Sequence, residues 1–148
     1  MGREPLKLDA AKVIRDCIAT RLRMADRVIT KVYDDALRPL GLKVTQMTML
    51  VVAEDRGLIR QAEVGAELRL DDSTLSRNLE RMRANGWLEE VSEGDARVHS
   101  YRLMAAGRAL LDKAMPAWRS VQTKAKHLLG DAGVQALRRF AREQGFDG

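Results

Sequence analysis

Residues 72–85, DSTLSRNLERMRAN, decide the fold. Leu75, Leu79 and Met82 recur at i, i+4 and i+7, which places them on one stripe of a helix. Asp72 or Ser73 is expected to cap its start, because a short oxygen-bearing side chain accepts from the free N–H groups of the first turn. Asn85-Gly86 ends it, since Gly takes the left-handed conformation past a helix end cheaply. The opposite face carries Ser73, Thr74, Ser76, Arg77, Asn78 and Arg81. Such hydroxyl, amide and guanidinium groups read base edges and grip phosphates. On a lone helix the plainer reading is a solvated polar face. The flanking sequence weighs the two.

Upstream, Gln61–Leu68 predicts a short helix, and Arg69-Leu70-Asp71 joins it to residues 72–85 in three residues. Two short helices with so short a connection make a helix-turn-helix. Gly65 sits where the two cross, where a small residue allows close approach; the plainer reading is only a helix-weakening Gly. Downstream the period changes. Residues 87–91 and 98–103 read as two strands, with the turn residues Ser92–Arg97 between them. A β-hairpin directly after a helix-turn-helix is a wing, whose tip can reach the minor groove.

Long helical patterns lie outside this unit. From residue 9 to 38, Ile14, Ile18, Leu22, Ala25, Ile29 and Val32 keep a helical period until Pro39 and Gly41. Such a helix spans roughly 45 Å, more than one small core covers, so a second subunit is the natural cover. Thr45 is expected to cap a helix over Gln46–Glu54. A further helix runs from Ala105 to Leu129, interrupted or kinked at Pro116 and ended by Gly130, and Asp131 caps a last one. The expected architecture is mainly α with a small β-hairpin wing: a winged helix-turn-helix (45–104) between dimerisation helices at 1–44 and 105–148.

Composition sets outer bounds. With 45% hydrophobic and 32% charged residues in 148, the chain reads as one folded subunit. The net charge of +5 admits a polyanionic partner. Residues 56–108 carry nine basic and nine acidic residues, so any nucleic-acid surface there depends on sorting charge onto one face. Cys17 is the only cysteine, which excludes an intrachain disulfide and fits a reducing cytoplasm. The N-terminal stretch has neither the apolar core of a signal peptide nor a Ser or Thr at position 6 for myristoylation, and no apolar run reaches the ~20 residues of a membrane span.

The order of elements resembles that of the MarR family of bacterial transcriptional regulators over nearly the whole chain. The most specific piece is Asp95-Ala96-Arg97 in the wing, followed by Leu103 and Gly107. The family carries Asp-x-Arg there, then Leu-Thr-x-x-Gly opening the next helix. Tyr33-Asp34, Leu40-Gly41-Leu42 and Pro116-Ala117-Trp118 are also similar to the family. Met104 departs from it by replacing the Thr, and Glu89 and Glu90 stand where many members have a basic residue. The resemblance implies a homodimer on double-stranded DNA, with interlocked terminal helices and two winged domains on one pseudopalindromic operator. It implies a repressor that a small-molecule or redox input releases. Ser73, Thr74, Ser76, Arg77, Asn78 and Arg81 then face DNA, Arg97 enters the minor groove, and Asp95 orients the wing.

Several residues keep two readings. Arg97 is a DNA contact or a surface arginine paired with Asp95. Cys17 is a small buried hydrophobe or, with Arg21 beside it, a hydroperoxide-sensing thiol. The family's hydroperoxide sensors place tyrosines around their cysteine, and here the only tyrosines are Tyr33 and Tyr101. Met24, Met47 and Met49 fill the core or line an effector pocket. His99 and His127 lie on separate elements, and no metal-ligand spacing, cofactor motif or phosphate loop appears, so an enzyme is not expected. Two function classes stay open: a DNA-binding regulator, and a winged-helix module for protein contacts without an operator.

Overall fold

Leu75, Leu79 and Met82 are buried, and the core forms around them with Leu37, Leu42, Met49, Leu50 and Leu88. The computed structural model describes residues 9–146. The expectations for Met1–Leu8, which concern a leader and myristoylation, lie outside the described residues. The chain runs α1 (Ala10–Asp16), α2 (Ile18–Leu37), a 3-10 turn (Arg38–Leu40), α3 (Val44–Arg56), β1 (Ile59–Arg60), α4 (Gln61–Glu67), α5 (Asp72–Ala84), β2 (Leu88–Val91), β3 (Ser100–Leu103) and α6 (Ala105–Glu143).

The first long helix is not continuous. Cys17 leaves helical geometry at φ −67° and ψ 108°, so α1 ends there and α2 begins. Arg21 braces the break by donating to the Arg15 carbonyl. Thr45 does not cap the next helix, because α3 begins a residue earlier. Its first N–H, on Val44, is taken by Asp34 Oδ1 of α2 at 2.8 Å. Gln46 Oε1 reaches back to the Lys43 N–H at 3.1 Å. Neighbouring Tyr33 donates to Gln122 Oε1 of α6. Two adjacent side chains thus fasten α2 to α3 and to α6.

The wing belongs to a three-stranded antiparallel sheet of order β1-β3-β2. β2 and β3 pair Leu88 with Leu103 and Glu90 with Tyr101, and β1 sets Ile59 opposite Tyr101. Two residues are too few to show an alternation, so β1 escapes a reading by pattern. Gly65 is tight for the expected reason: a Cβ there would sit 2.6 Å from Leu75 Cδ2. The helix-turn-helix turn holds Arg69 at φ 54°, a conformation few side chains adopt.

α6 passes through Pro116 with helical backbone and leaves it only at Gly130, at φ 69° and ψ 164°. The interruption expected at Pro116 is therefore displaced to the glycine. Met104 caps α6 without a side-chain hydrogen bond. Gly107, one turn in, lies against the Trp87 carbonyl and Leu103, where a Cβ would overlap both. Val13, Ile14, Ile18, Leu22 and Val28 on α1 and α2 stay more than half exposed, with Ile14 at 72%. Leu128 and Phe140 of α6 are also exposed.

Gly107→Ala is expected to destabilise the fold by about 1–3 kcal/mol, since a carbonyl cannot yield as a side-chain tip does. Met104→Thr is expected to add about 0.5–1 kcal/mol by restoring a hydroxyl cap. Urea unfolding of both variants checks this. An alanine at 107 as stable as the native glycine would contradict the close approach.

Candidate nucleic-acid interface

The N-terminus of α5 is organised by Asp71, one residue before the expected caps. Its Oδ1 accepts from the Thr74 N–H at 2.8 Å and from Ser73 Oγ at 2.7 Å, and its Oδ2 from Thr74 Oγ1 at 2.6 Å. Donors from Thr74 and Ser73 stabilise the anion, so the carboxyl lies well below its ordinary range. Ser73 and Thr74 therefore spend their O–H groups inside the protein. Ser76 Oγ accepts from Gln61 Nε2 at 3.1 Å, which leaves its own proton to offer. Asn78 is half-buried and donates to the Thr74 carbonyl at 3.0 Å. Arg77 and Arg81 are exposed and form no ion pair among the described residues. Arg81 borders the α2–α3 junction near Asp34 and Lys43, whereas Arg77 lies nearer the start of the helix.

The wing supplies the second element. Asp95 accepts from the Arg97 N–H at 3.0 Å and from its guanidinium at 3.1–3.2 Å. Those bonds hold the Asp95 carboxyl below its ordinary value. The Arg97 side chain is nonetheless 89% exposed. Between wing and helix-turn-helix lies an open groove of about 690 Å³, bordered by Arg60, Gln61, Glu63, Asp72, Arg97 and His99.

The charge balance of this region resolves through pairing. Glu67 binds Arg56 at 2.6–2.7 Å, and Glu80 binds Arg83 at 3.0 Å. Glu89 pairs with Arg102 across the sheet, and Glu90 meets His99 at 2.8 Å. The two glutamates that depart from the family pattern are thus tied to neighbours. Sequence reading missed this, and it also missed Asp71 and Gln61 as the residues that set α5. The signal for Asp71 is present, as an Asp just before the helix, but the sequence pattern gives Asp71 to the connecting turn and leaves the cap to Asp72 or Ser73.

The effector candidates do not converge. Met47 and Met49 are buried in the core, while Met24 is exposed and borders a shallow cleft with Val28 and Leu128. Cys17 is half-exposed rather than buried, and its Sγ accepts from Thr20 Oγ1 at 3.3 Å. The Thr20 hydroxyl and backbone N–H, with Arg21, hold the thiol below its ordinary value of 9.0. Tyr33 bonds to Gln122 and Tyr101 to Gln61. No helix among the described residues is long and apolar enough to cross a membrane.

The sequence profile of the MarR family matches residues 40–98. The DNA-bound transcriptional regulator MosR of M. tuberculosis is 37% identical, with a TM-score of 0.75 over 88% of this chain and 94% of that one. The chain belongs to the MarR family. That family and fold are those of DNA-binding transcriptional regulators, not of enzymes. The match with YwoH of Bacillus subtilis (strain 168), an uncharacterized HTH-type transcriptional regulator, is 27% identical over 77 residues, spanning 52% of this chain and 56% of YwoH. BpsR of Bordetella bronchiseptica, whose DNA binding is regulated by 6-hydroxynicotinic acid, shares the MarR fold at 20% identity and a TM-score of 0.74, over 89% of this chain and 96% of that one.

Proposed function

We propose that this chain is a homodimeric repressor of the cytoplasm that binds a pseudopalindromic operator and leaves it when a small molecule binds. The observation that carries the reading is the placement of Arg77 and Arg97. The Arg77 guanidinium, without an ion-pair partner among the described residues, stands on the recognition helix, and that of Arg97, held by its neighbour Asp95, at the wing tip. Likeness to a DNA-bound regulator supports it. Arg77 suits the fork of guanine O6 and N7 in the major groove, and Asn78 or Ser76 an adjacent base. Arg81 suits phosphate. Arg97 suits the narrow minor groove, with Asp95 aiming it.

Arg77→Ala is expected to cost about 1–3 kcal/mol at one base pair and to change the half-site preference. Arg97→Ala is expected to weaken binding to all sequences and to flatten the log–log salt slope by about one unit for each cationic group withdrawn from the DNA. Titrating both variants against a base-substituted operator series at several salt concentrations checks the division. Binding that ignores both substitutions and salt would favour the winged-helix module for protein contacts.

Dimerisation is supported by the exposed apolar stripe of α1 and α2 and by Leu128 and Phe140 of α6, which water would otherwise cover. Sedimentation at micromolar concentration is expected to give a species of twice the 16.6 kDa chain. A folded monomer there would refute it.

A redox input is the second reading, and the position of Cys17 favours it. A half-exposed thiol at the N-cap of α2, with a depressed pKa, suits attack on a hydroperoxide O–O bond, which yields a sulfenic acid and an alcohol. Under this reading organic hydroperoxide releases DNA from the native protein but not from Cys17→Ser. Retention of DNA by both proteins would return the input to a small molecule.

A further inference from the structure

The geometry points to Glu93 as the residue that positions the wing for its DNA contact. This rests on the DNA-binding reading above and adds a residue to it. Glu93 is the second residue of the loop between β2 and β3, and its side chain turns back onto the sheet. Its Oε2 accepts from Arg60 Nε and its Oε1 from Arg60 Nη2, both at 2.9 Å. Ser100 Oγ, fully buried on β3, donates to the same Oε2. Arg60 belongs to β1, and its Nη1 reaches Glu63 Oε1 of α4 at 3.1 Å. One carboxylate therefore ties the loop to β1, to β3 and, through Arg60, to the helix that precedes the recognition helix.

The anchor is four residues from the tip. Gly94 turns the chain at φ 88°, and the Val98 N–H returns to the Asp95 carbonyl at 3.0 Å. Asp95 then clamps Arg97. With so few free torsions between them, the position of Arg97 follows that of Glu93. Partly exposed ion pairs add little stability, but a bidentate fork with a third donor restricts orientation. Arg60 and Ser100 hold the Glu93 carboxyl at about 2, so it is ionised wherever DNA binding is measured.

The same pairing occupies Arg60, which borders the groove beside Arg97. The rival role is a mask: Glu93 would then withhold Arg60 from phosphate. The two roles differ in sign. Loss of a positioning residue weakens binding through Arg97, whereas loss of a mask strengthens it.

The test uses the full chain and a duplex that it enriches from a random-sequence pool. Affinities are measured for the native protein, Glu93→Gln, Arg97→Ala and the double variant at several salt concentrations, with thermal unfolding of each. Glu93→Gln is expected to bind roughly tenfold more weakly, as coupled residues in one network do, with a shallower salt slope. The double variant is expected to bind no more weakly than Arg97→Ala alone. Arg60→Met repeats the cycle from the other half of the pair and decides the matter if Glu93→Gln unfolds. Additive losses would overturn the proposal, and so would tighter binding with a steeper slope, the outcome for a mask. Failure to enrich any duplex would remove the DNA-binding reading itself, and the role of Glu93 with it.

Discussion

The backbone of Trp87 holds the functional parts of this domain together. Its N–H closes the end of α5 on the Met82 carbonyl at 2.9 Å. Its carbonyl takes the Met104 N–H, also at 2.9 Å, where β3 hands over to α6. A Cβ at Gly107 would run into that same carbonyl. The recognition helix, the wing and the long C-terminal helix thus meet at the backbone of one residue, with no space beside its carbonyl for a side chain at position 107. α5, the wing base and α6 therefore share one close-packed joint. Met104 is the weak member of the joint, since it contributes a backbone bond but no side-chain cap.

On the other side of the domain, α2 makes the comparable joint through Tyr33 and Asp34. Asp34 satisfies the first N–H of α3, a group that a buried helix end cannot leave bare. Tyr33 reaches Gln122, and burial of its ring raises its pKa, so the phenol stays a donor at neutral pH. α3 carries Met49, Leu50 and Ala53 into the core against which Leu75 and Leu79 pack. α2 is thus joined to α3 by a cap, and α3 to the core in which the recognition helix is seated.

What the sequence made legible follows from physical range. Leu75, Leu79 and Met82 announced a helix because periodicity is local, and all three are buried. Gly65, Gly107 and Gly130 each lie where close approach or a positive φ requires glycine, although Pro116 competed with Gly130 for the kink. The failures were long-range or fine-grained. Asp34 caps a helix ten residues away, so Thr45 looked like the better cap. β1 exists only because β3 offers it an edge. The even count of acids and bases in residues 56–108 concealed its sorting. Arg56, Arg60, Arg83 and Arg102 each have a carboxylate partner distant or near in sequence, and only folding shows that Arg77 has none among the described residues.

The break at Cys17 gives the N-terminal arm a second significance. An uninterrupted helix from Ala10 would have left Cys17 in mid-helix, away from any helix end. The break instead sets its sulfur at the start of a 20-residue helix, beside the Thr20 N–H and the positive end of the helix dipole. From there α2 runs as a stiff rod to Asp34, roughly 25 Å away at 1.5 Å per residue. Charge placed on that sulfur, or a bulky group, acts at one end of a rod whose other end caps α3. The exposed face of the rod carries Ile18, Leu22 and Val28, the side chains that a second subunit would cover. On the proposed dimer and thiol readings, packing of the subunits, the chemical state of the thiol and the seating of α3 would be three loads on one helix, and its tilt is what would couple them.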